Sequence, residues 1–168
     1  MLKRLLLPAA LAVGLALPAA AAPETSRRLD IGQIMGRWYE VARVPNQLQR
    51  GCQAGTSDWA RNAGGFSVVQ ACLRGGSLVQ WRAQAKQDPA QDGRVRMTFF
   101  GGLVSQDYRV LEHRPDQGWL VLATANGRYL WLMSQRPNLP ESVRGQALAR
   151  IRQLGFDVGR LEFPGGRT

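Results

Sequence analysis

Few side chains in this sequence could do chemistry on a substrate. His113 is the only histidine, and it stands beside Glu112 at the end of a predicted strand. A histidine next to a carboxylate can act as a general base. However, no serine occupies a nucleophile-elbow sequence, and neither a phosphate-binding loop nor a metal-ligand spacing is present. We interpret His113 as a surface histidine at a turn, and we predict that the protein is not an enzyme.

Cys52 and Cys72 are the only cysteines. In an exported chain, an even pair of cysteines is by default a disulfide. Closing a loop of about 20 residues would stabilise the fold by roughly 3 kcal/mol. The alternative is a metal site, but zinc needs about three or four ligands and only His113 could join the two cysteines. We expect neither a metal nor a cofactor.

The amino terminus has the pattern of a secretory signal peptide. Lys3 and Arg4 precede an apolar stretch at residues 5–22 that ends in small side chains, as in a cleavable leader. Pro8 and Pro18 interrupt the stretch, whereas a transmembrane helix needs roughly 20 unbroken apolar residues.

We therefore predict that residues 1–21 are a signal peptide, cut between Ala21 and Ala22. Residues 22–168 then form one domain, because that length is enough for a single core but not for two. No cysteine lies near the cut, so we expect an exported protein, periplasmic or secreted, without a lipid anchor.

The chain is strongly basic, with a formal net charge of +10. Loss of Lys3 and Arg4 with the signal peptide leaves +8, nearly all of it from arginine. A basic surface attracts nucleic acid, anionic lipid or acidic ligands. Here the arginines are scattered, the composition favours arginine and alanine throughout, and no surface combines basic and aromatic residues for base stacking. We predict no nucleic-acid partner.

Strand signals recur at short intervals, separated by turn residues such as Asn126-Gly127, which is typical of an antiparallel barrel or sandwich. Eight strands are predicted: Arg37 to Val44, Gly55 to Arg61, Phe66 to Leu73, Ser77 to Gln87, Arg94 to Phe100, Gln106 to Arg114, Gly118 to Ala125 and Arg128 to Ser134.

The strands differ in how many of their faces are apolar. Val95, Met97 and Phe99 alternate with polar residues, so that strand has one inward and one solvated face. Residues 119–124 and 129–133 are apolar on both faces. Another element must therefore cover the outside of these two strands.

A helix that could supply this cover follows directly. Val143, Ala147, Ile151 and Leu154 recur at helical spacing, and Gly155 stands where a helix would stop. We predict that this helix packs on the outside of the two-sided strands. The tail around Leu161 and Phe163 could add a short strand.

An ordered set of motifs resembles the lipocalin family, in particular its bacterial branch. Gly36-Arg37-Trp38 carries the Gly-x-Trp of the family's first strand. The resemblance covers roughly residues 34–163 and continues through Arg50-Gly51-Cys52, Met97 to Gly101, Asp107 to Val110, Tyr129 to Ser134 with Pro137, and Gly155-Phe156-Asp157.

The resemblance implies an all-β, eight-stranded, up-and-down antiparallel barrel with a C-terminal α-helix packed outside. It also implies a disulfide between Cys52 and Cys72, and the predicted hairpin about residues 62–65 brings these two positions close to register.

The resemblance further implies that Trp38 packs at the closed end of the barrel. Relatives usually place an arginine directly after the serine of the last strand, to cover this indole, but the order here is Ser134-Gln135-Arg136. Either Arg136 covers Trp38 with a one-residue shift, or Gln135 takes the place and the cation–π contact is lost.

Barrels of eight strands can hold one small ligand inside, and the resemblance implies a fatty acid or a lysophospholipid. The predicted wall of the site consists of apolar and aromatic residues on the inward faces: Trp59, Trp81, Met97, Phe99, Tyr108, Val110 and Trp131. Three arginines are candidates for an acidic head group: Arg82, Arg109 and Arg128. Glu40 and Asp58 could also point inward, where a carboxylate needs a partner.

Two alternatives stay open. The barrel mouth could bind a protein, with the apolar Leu103-Val104 as the only hint, or the protein could be a lipid-modifying enzyme. We expect a monomer or weak dimer that binds a small hydrophobic ligand and has transient contact with a membrane surface.

Overall fold

The computed structural model describes residues 29–91 and 93–165, so the predicted signal peptide lies outside the described residues. Eight antiparallel strands close into a barrel in chain order, which confirms the predicted architecture. The strands are β1 Gly36–Arg43, β2 Cys52–Asn62, β3 Gly65–Arg74, β4 Ser77–Gln87, β5 Arg94–Phe99, β6 Val104–Arg114, β7 Trp119–Thr124 and β8 Leu130–Ser134.

Within residues 29–91 and 93–165, one α-helix and three short 3-10 helices accompany the strands. The α-helix, α1, spans Glu141–Gln153, and the 3-10 helices span Ile31–Ile34, Phe100–Gly102 and Val158–Arg160. No helix within the described ranges is long and apolar enough to cross a membrane.

The two ends of the barrel are built differently. One end, the mouth, is bordered by residues 44–51 between β1 and β2 and by the β3–β4, β5–β6 and β7–β8 connections. The opposite, closed end is covered by the 3-10 helix that precedes β1. Ile31 and Ile34 of that helix are buried, and the Trp38 indole Nε1 donates a hydrogen bond to the carbonyl of Ile34 at 2.8 Å.

The predicted cover of the last two strands is confirmed. All six residues of β7 are buried, because their outward side chains pack under α1, where Ala147 and Ile151 are fully buried. The helix ends before Gly155, whose φ of +88° is a conformation that favours glycine. The tail then returns to the barrel through a single bridge between Glu162 and Arg43.

The largest boundary difference concerns β2, which begins three residues before the predicted start, at Cys52. The register shifts between Gln53 and Thr56, and Ala54 has a positive φ of 49°. This bulge interrupts the alternation from which a strand is predicted. The disulfide between Cys52 and Cys72 is present, with Cα atoms 5.4 Å apart.

Candidate ligand-binding site

On the side formed by β3 to β6, the closed half of the barrel interior is packed by its own side chains. Val68, Ala83, Val95, Met97 and Val110 are all at most 2% exposed. Met97 and Val110 were predicted to form part of the ligand wall. Both face the interior, but they belong to this packed side and border neither of the two cavities described next.

The interior also contains an inner cavity of about 30 Å³, which reaches Ile34 and Trp38 at the closed end. Four of the five tryptophans border it: Trp38, Trp59, Trp81 and Trp131. The polar side chains of Glu40, Gln49 and Gln70 also line it. A cavity of this size has room for water molecules but not for an alkyl chain.

A mouth pocket of about 240 Å³ lies above the inner cavity. Its apolar walls come from opposite sides of the barrel, with Leu48 on one side and Phe99, Phe100 and Val104 on the other. The two spaces are neighbours, because four residues border both: Gln49, Gln70, Tyr108 and Trp131. Ligand pockets typically measure about 300–1,000 Å³, so the mouth pocket is just below that range.

A buried ion pair lies beside the inner cavity. The side chains of Glu40 and Arg43 are 3% and 2% exposed, and Arg43 Nη1 donates to Glu40 Oε1. Arg43 Nη2 donates to the carbonyls of Gln49 and Cys52 at 3.1 and 2.9 Å. Burial raises the pKa of Glu40, while the positive charge of Arg43 opposes that rise. Although the arginines are scattered along the sequence, this one is buried and adds nothing to the basic surface.

Gln49 connects this ion pair to the cavity wall. Its Nε2 donates to Glu40 Oε2 at 2.6 Å, while its Oε1 accepts from Trp131 Nε1 and Asn46 Nδ2, both at 2.8 Å. These contacts fix residues 44–51 at the boundary between the mouth pocket and the inner cavity. Gln49 was not among the predicted site residues, since a glutamine in an aperiodic loop gives no sequence signal.

Trp81 brings an unused hydrogen-bond donor to the inner cavity. It is 8% exposed, and its Nε1 has no hydrogen-bond partner within the described part of the chain. Gln70 stands directly opposite on the neighbouring strand and borders the same cavity. A ligand oxygen at this level could accept from the indole.

Tyr108, on β6, borders both the mouth pocket and the inner cavity. Its ring lies 5.9 Å from that of Trp131, and burial raises the pKa of its phenol to about 12. The hydroxyl therefore stays protonated at neutral pH and can donate a hydrogen bond. Of the seven predicted wall residues, five border one or both cavities: Trp59, Trp81, Phe99, Tyr108 and Trp131.

At the closed end, the ring that contacts Trp38 is His113, whose ring centroid lies 6.1 Å away in an edge-on arrangement. Burial lowers the pKa of His113, which favours the neutral imidazole. The residue lies within β6 and is half-buried, so the interpretation as a surface histidine at a turn was wrong. Arg136 is exposed, and its backbone N–H donates to Ser134 Oγ at 3.0 Å, while Gln135 lies against Gly118.

The three candidate head-group arginines lie in different places. Arg82 is exposed and alternates with the inward residues of β4, and Arg109 lies on the outward side of β6, opposite Arg94. None of the three arginines borders the mouth pocket. Arg128 is exposed in the β7–β8 turn at the mouth, with its guanidinium 5.4 Å from the centre of the Tyr129 ring.

The two candidate inward carboxylates also lie in different places. Glu40 faces the inner cavity, whereas Asp58 pairs with the exposed Arg37 at 2.7 Å. Within residues 29–91 and 93–165, no three His, Cys, Asp or Glu side chains come together as a metal site.

Comparison with known proteins identifies the family. The profile of the Lipocalin-like domain family matches residues 29–165. The chain belongs to the lipocalin family. This lipocalin is 30% identical over 142 residues to the outer membrane lipoprotein Blc of Vibrio cholerae, with 80% of this chain and 81% of the relative covered. It is 25% identical over 148 residues to temperature-induced lipocalin-1 of Arabidopsis thaliana, which covers 82% and 80% of the two chains.

Solved structures agree on the fold. Insecticyanin from the tobacco hornworm Manduca sexta superposes with a TM-score of 0.69 at 15% identity, covering 89% of this lipocalin and 86% of that chain. Lobster apocrustacyanin A1 gives 0.65 at 13% identity, covering 91% and 94%. Membership of the lipocalin family implies binding of a small hydrophobic ligand, in a family of binding and transport proteins more than of enzymes.

Proposed function

We propose that this lipocalin binds and carries one fatty acid or lysophospholipid, without chemical change, as part of lipid handling in the cell envelope. The observation that supports this most is the apolar and aromatic wall that runs from the mouth pocket to the inner cavity through Tyr108 and Trp131. The predicted signal peptide supports an envelope location, as does the similarity to an outer membrane lipoprotein.

The volumes constrain how such a lipid would bind. The mouth pocket takes part of an alkyl chain, and deeper entry requires the side chain of Gln49 to leave its contacts with Glu40 and Trp131. Burying a methylene contributes about 0.8 kcal/mol, so a chain of about 16 carbons offers roughly 10 kcal/mol before the costs of association. Micromolar to sub-micromolar affinity follows from that balance.

The orientation of the lipid follows from the charges. Arg128 at the mouth suits a carboxylate or phosphate head group, while the buried Glu40 lies beside the inner cavity. A head group at the mouth therefore avoids repulsion from this carboxylate.

The test is a titration of delipidated protein with palmitic acid and with lysophosphatidylcholine, followed by tryptophan fluorescence. We expect saturable changes with a Kd at or below the micromolar range, because tryptophans border the cavities. Mass spectrometry of the recovered lipid should show it unchanged.

Matched variants check the place of binding. Phe100→Ser removes an apolar wall of the mouth pocket and should weaken binding by about fivefold. Leu78→Ser alters an exposed leucine that does not border the mouth pocket, and it should leave the affinity unchanged. Absence of any response to both lipids would overturn the proposal, and so would conversion of either lipid to a product.

A further inference from the structure

The connections at the two ends of the barrel differ in charge. The mouth connections, residues 44–51, 75–76, 100–103 and 125–129, contain no aspartate or glutamate and include Arg50 and Arg128. Arg74 ends β3 at the same place, and its Nη2 donates to the carbonyl of Leu48 at 2.6 Å.

The closed end carries both signs of charge. Asp88 follows β4, and Asp116 lies between β6 and β7. Each pairs with an arginine, Asp88 with Arg94 at 3.5 Å and Asp116 with Arg114 at 3.3 Å, whereas the charged side chains of the mouth connections are all basic.

The exposed apolar side chains are concentrated at the mouth end of the barrel. Leu103 at the tip of the β5–β6 connection is 86% exposed. The strongly exposed large apolar side chains of residues 29–91 and 93–165 all lie at the mouth end: Leu48, Leu73, Leu78, Phe100, Leu103 and Val104. Leaving such side chains in water at one end only is typical of an interaction surface.

A basic depression of about 350 Å³ opens beside the mouth pocket. Arg50, Arg128 and Arg160 all line it and are all exposed. Its one carboxylate is Glu162, which forms an ion pair with Arg43. Guanidinium groups gathered in this way match the geometry of phosphate oxygens.

We propose that the mouth end docks on an anionic lipid bilayer. Phe100, Leu103 and Val104 enter the interfacial layer, and the basic depression takes lipid phosphates. Apolar insertion and attraction between arginine and anionic lipid reinforce each other, and both decide the strength of interfacial binding. Docked in this way, the mouth pocket opens directly onto the acyl chains. The docking itself does not depend on the ligand proposal.

The experiment is co-sedimentation of the mature protein with vesicles. One set contains phosphatidylcholine alone, and the other contains phosphatidylcholine with phosphatidylglycerol at about 30 mol%, where anionic lipid attracts basic side chains within a Debye length. We expect at least about tenfold stronger binding to the anionic vesicles, and most of that gain should be lost in 0.5 M salt, since about 1 M salt shortens the Debye length to 3 Å.

Matched variants locate the surface. Leu103→Asp should reduce binding to anionic vesicles by about tenfold, whereas Ala63→Asp, which adds the same charge at the closed end, should change it little. Arg128→Glu should weaken binding more than Arg152→Glu on the exposed side of α1.

Equal binding to both kinds of vesicle, or equal loss in the mouth and control variants, would overturn the proposal. So would self-association in sedimentation velocity that Leu103→Asp abolishes in the absence of vesicle binding, since the apolar rim would then be an interface between copies. The ligand titration is done without vesicles, so the two proposals can fail separately.

Discussion

Arg43 joins three segments: its own strand β1, the loop and first residue of β2, and the C-terminal tail. Its guanidinium donates to the carboxylates of Glu40 and Glu162 and to the carbonyls of Gln49 and Cys52. Buried ion pairs often add little net stability, because desolvation offsets the attraction between the charges. Removing one partner is costly nevertheless, since the other charge is left buried alone.

Arg43→Met is therefore expected to lower the free energy of unfolding by about 3–5 kcal/mol. Glu40→Gln should cost clearly less, because the amide keeps the shape of the side chain and Arg43 keeps Glu162 as a partner. Urea unfolding of both variants measures the difference. Equal losses would contradict this, because leaving the Glu40 carboxylate buried without Arg43 would then cost no more than replacing that carboxylate by an amide.

Trp81 and Trp131, two of the four tryptophans at the inner cavity, give a second comparison. Trp81→Phe removes a buried donor that has no partner among the described residues. Burying such a donor costs about 1–3 kcal/mol, and losing that cost offsets part of the packing lost with the larger ring. Trp131→Phe removes the same group but breaks its hydrogen bond to Gln49. We expect the Trp131 variant to be less stable by at least about 1 kcal/mol in thermal unfolding. The reverse order would mean that the Trp81 indole is satisfied by internal water.

At the level of elements, the disulfide constrains the entry to β2. Cys52 lies at the first residue of that strand, before the bulge, and Cys72 lies near the end of β3. The bond therefore fixes residues 44–51 at their carboxyl end, close to the Gln49 contacts.

Replacing both cysteines by serine should lower the free energy of unfolding by about 3 kcal/mol, as expected for a closed loop of about 20 residues. Lipid binding should also weaken, since residues 44–51 lose their anchor. Denaturant unfolding of the oxidised, reduced and serine forms measures the effect. If the reduced form were as stable as the oxidised form, the constraint on the unfolded chain would be negligible.

The sequence predicted the elements better than the site because their signals are local. Alternation and turn residues mark the strands, and the spacing of Ala147 and Ile151 marks the helix. The register shift between Glu40 and Ala42 breaks strict alternation, so Arg43 becomes buried where a regular strand would expose it. The position of Gln49 depends on contacts across the barrel that no sequence window contains.

For the whole molecule, the large positive charge makes acid conditions unfavourable, because protonating carboxylates increases self-repulsion. Asp107 is one of the acids that matter most. Hydrogen bonds from Arg96, with help from Arg94, hold the pKa of its carboxyl below the ordinary 3.8. The stability that this group contributes is complete above pH 3.8 and is lost as the pH falls through the lowered value.

Asp107→Asn should thus lower stability at pH 7 by up to about 1 kcal/mol. The difference from the parent should shrink as the pH drops below 3.8, because the parent carboxyl then becomes neutral too. Thermal unfolding at a series of pH values from about 2.5 to about 7, which spans the ordinary and the lowered pKa of Asp107, tests this. A constant difference across that range would contradict the assigned cause.

The inner cavity and the mouth pocket, about 30 and 240 Å³, are too small to enclose a whole lipid of the proposed kind. Under the proposed function, part of the bound lipid therefore extends past the mouth into solvent. An acceptor can then contact that part of the lipid before the rest has left the protein.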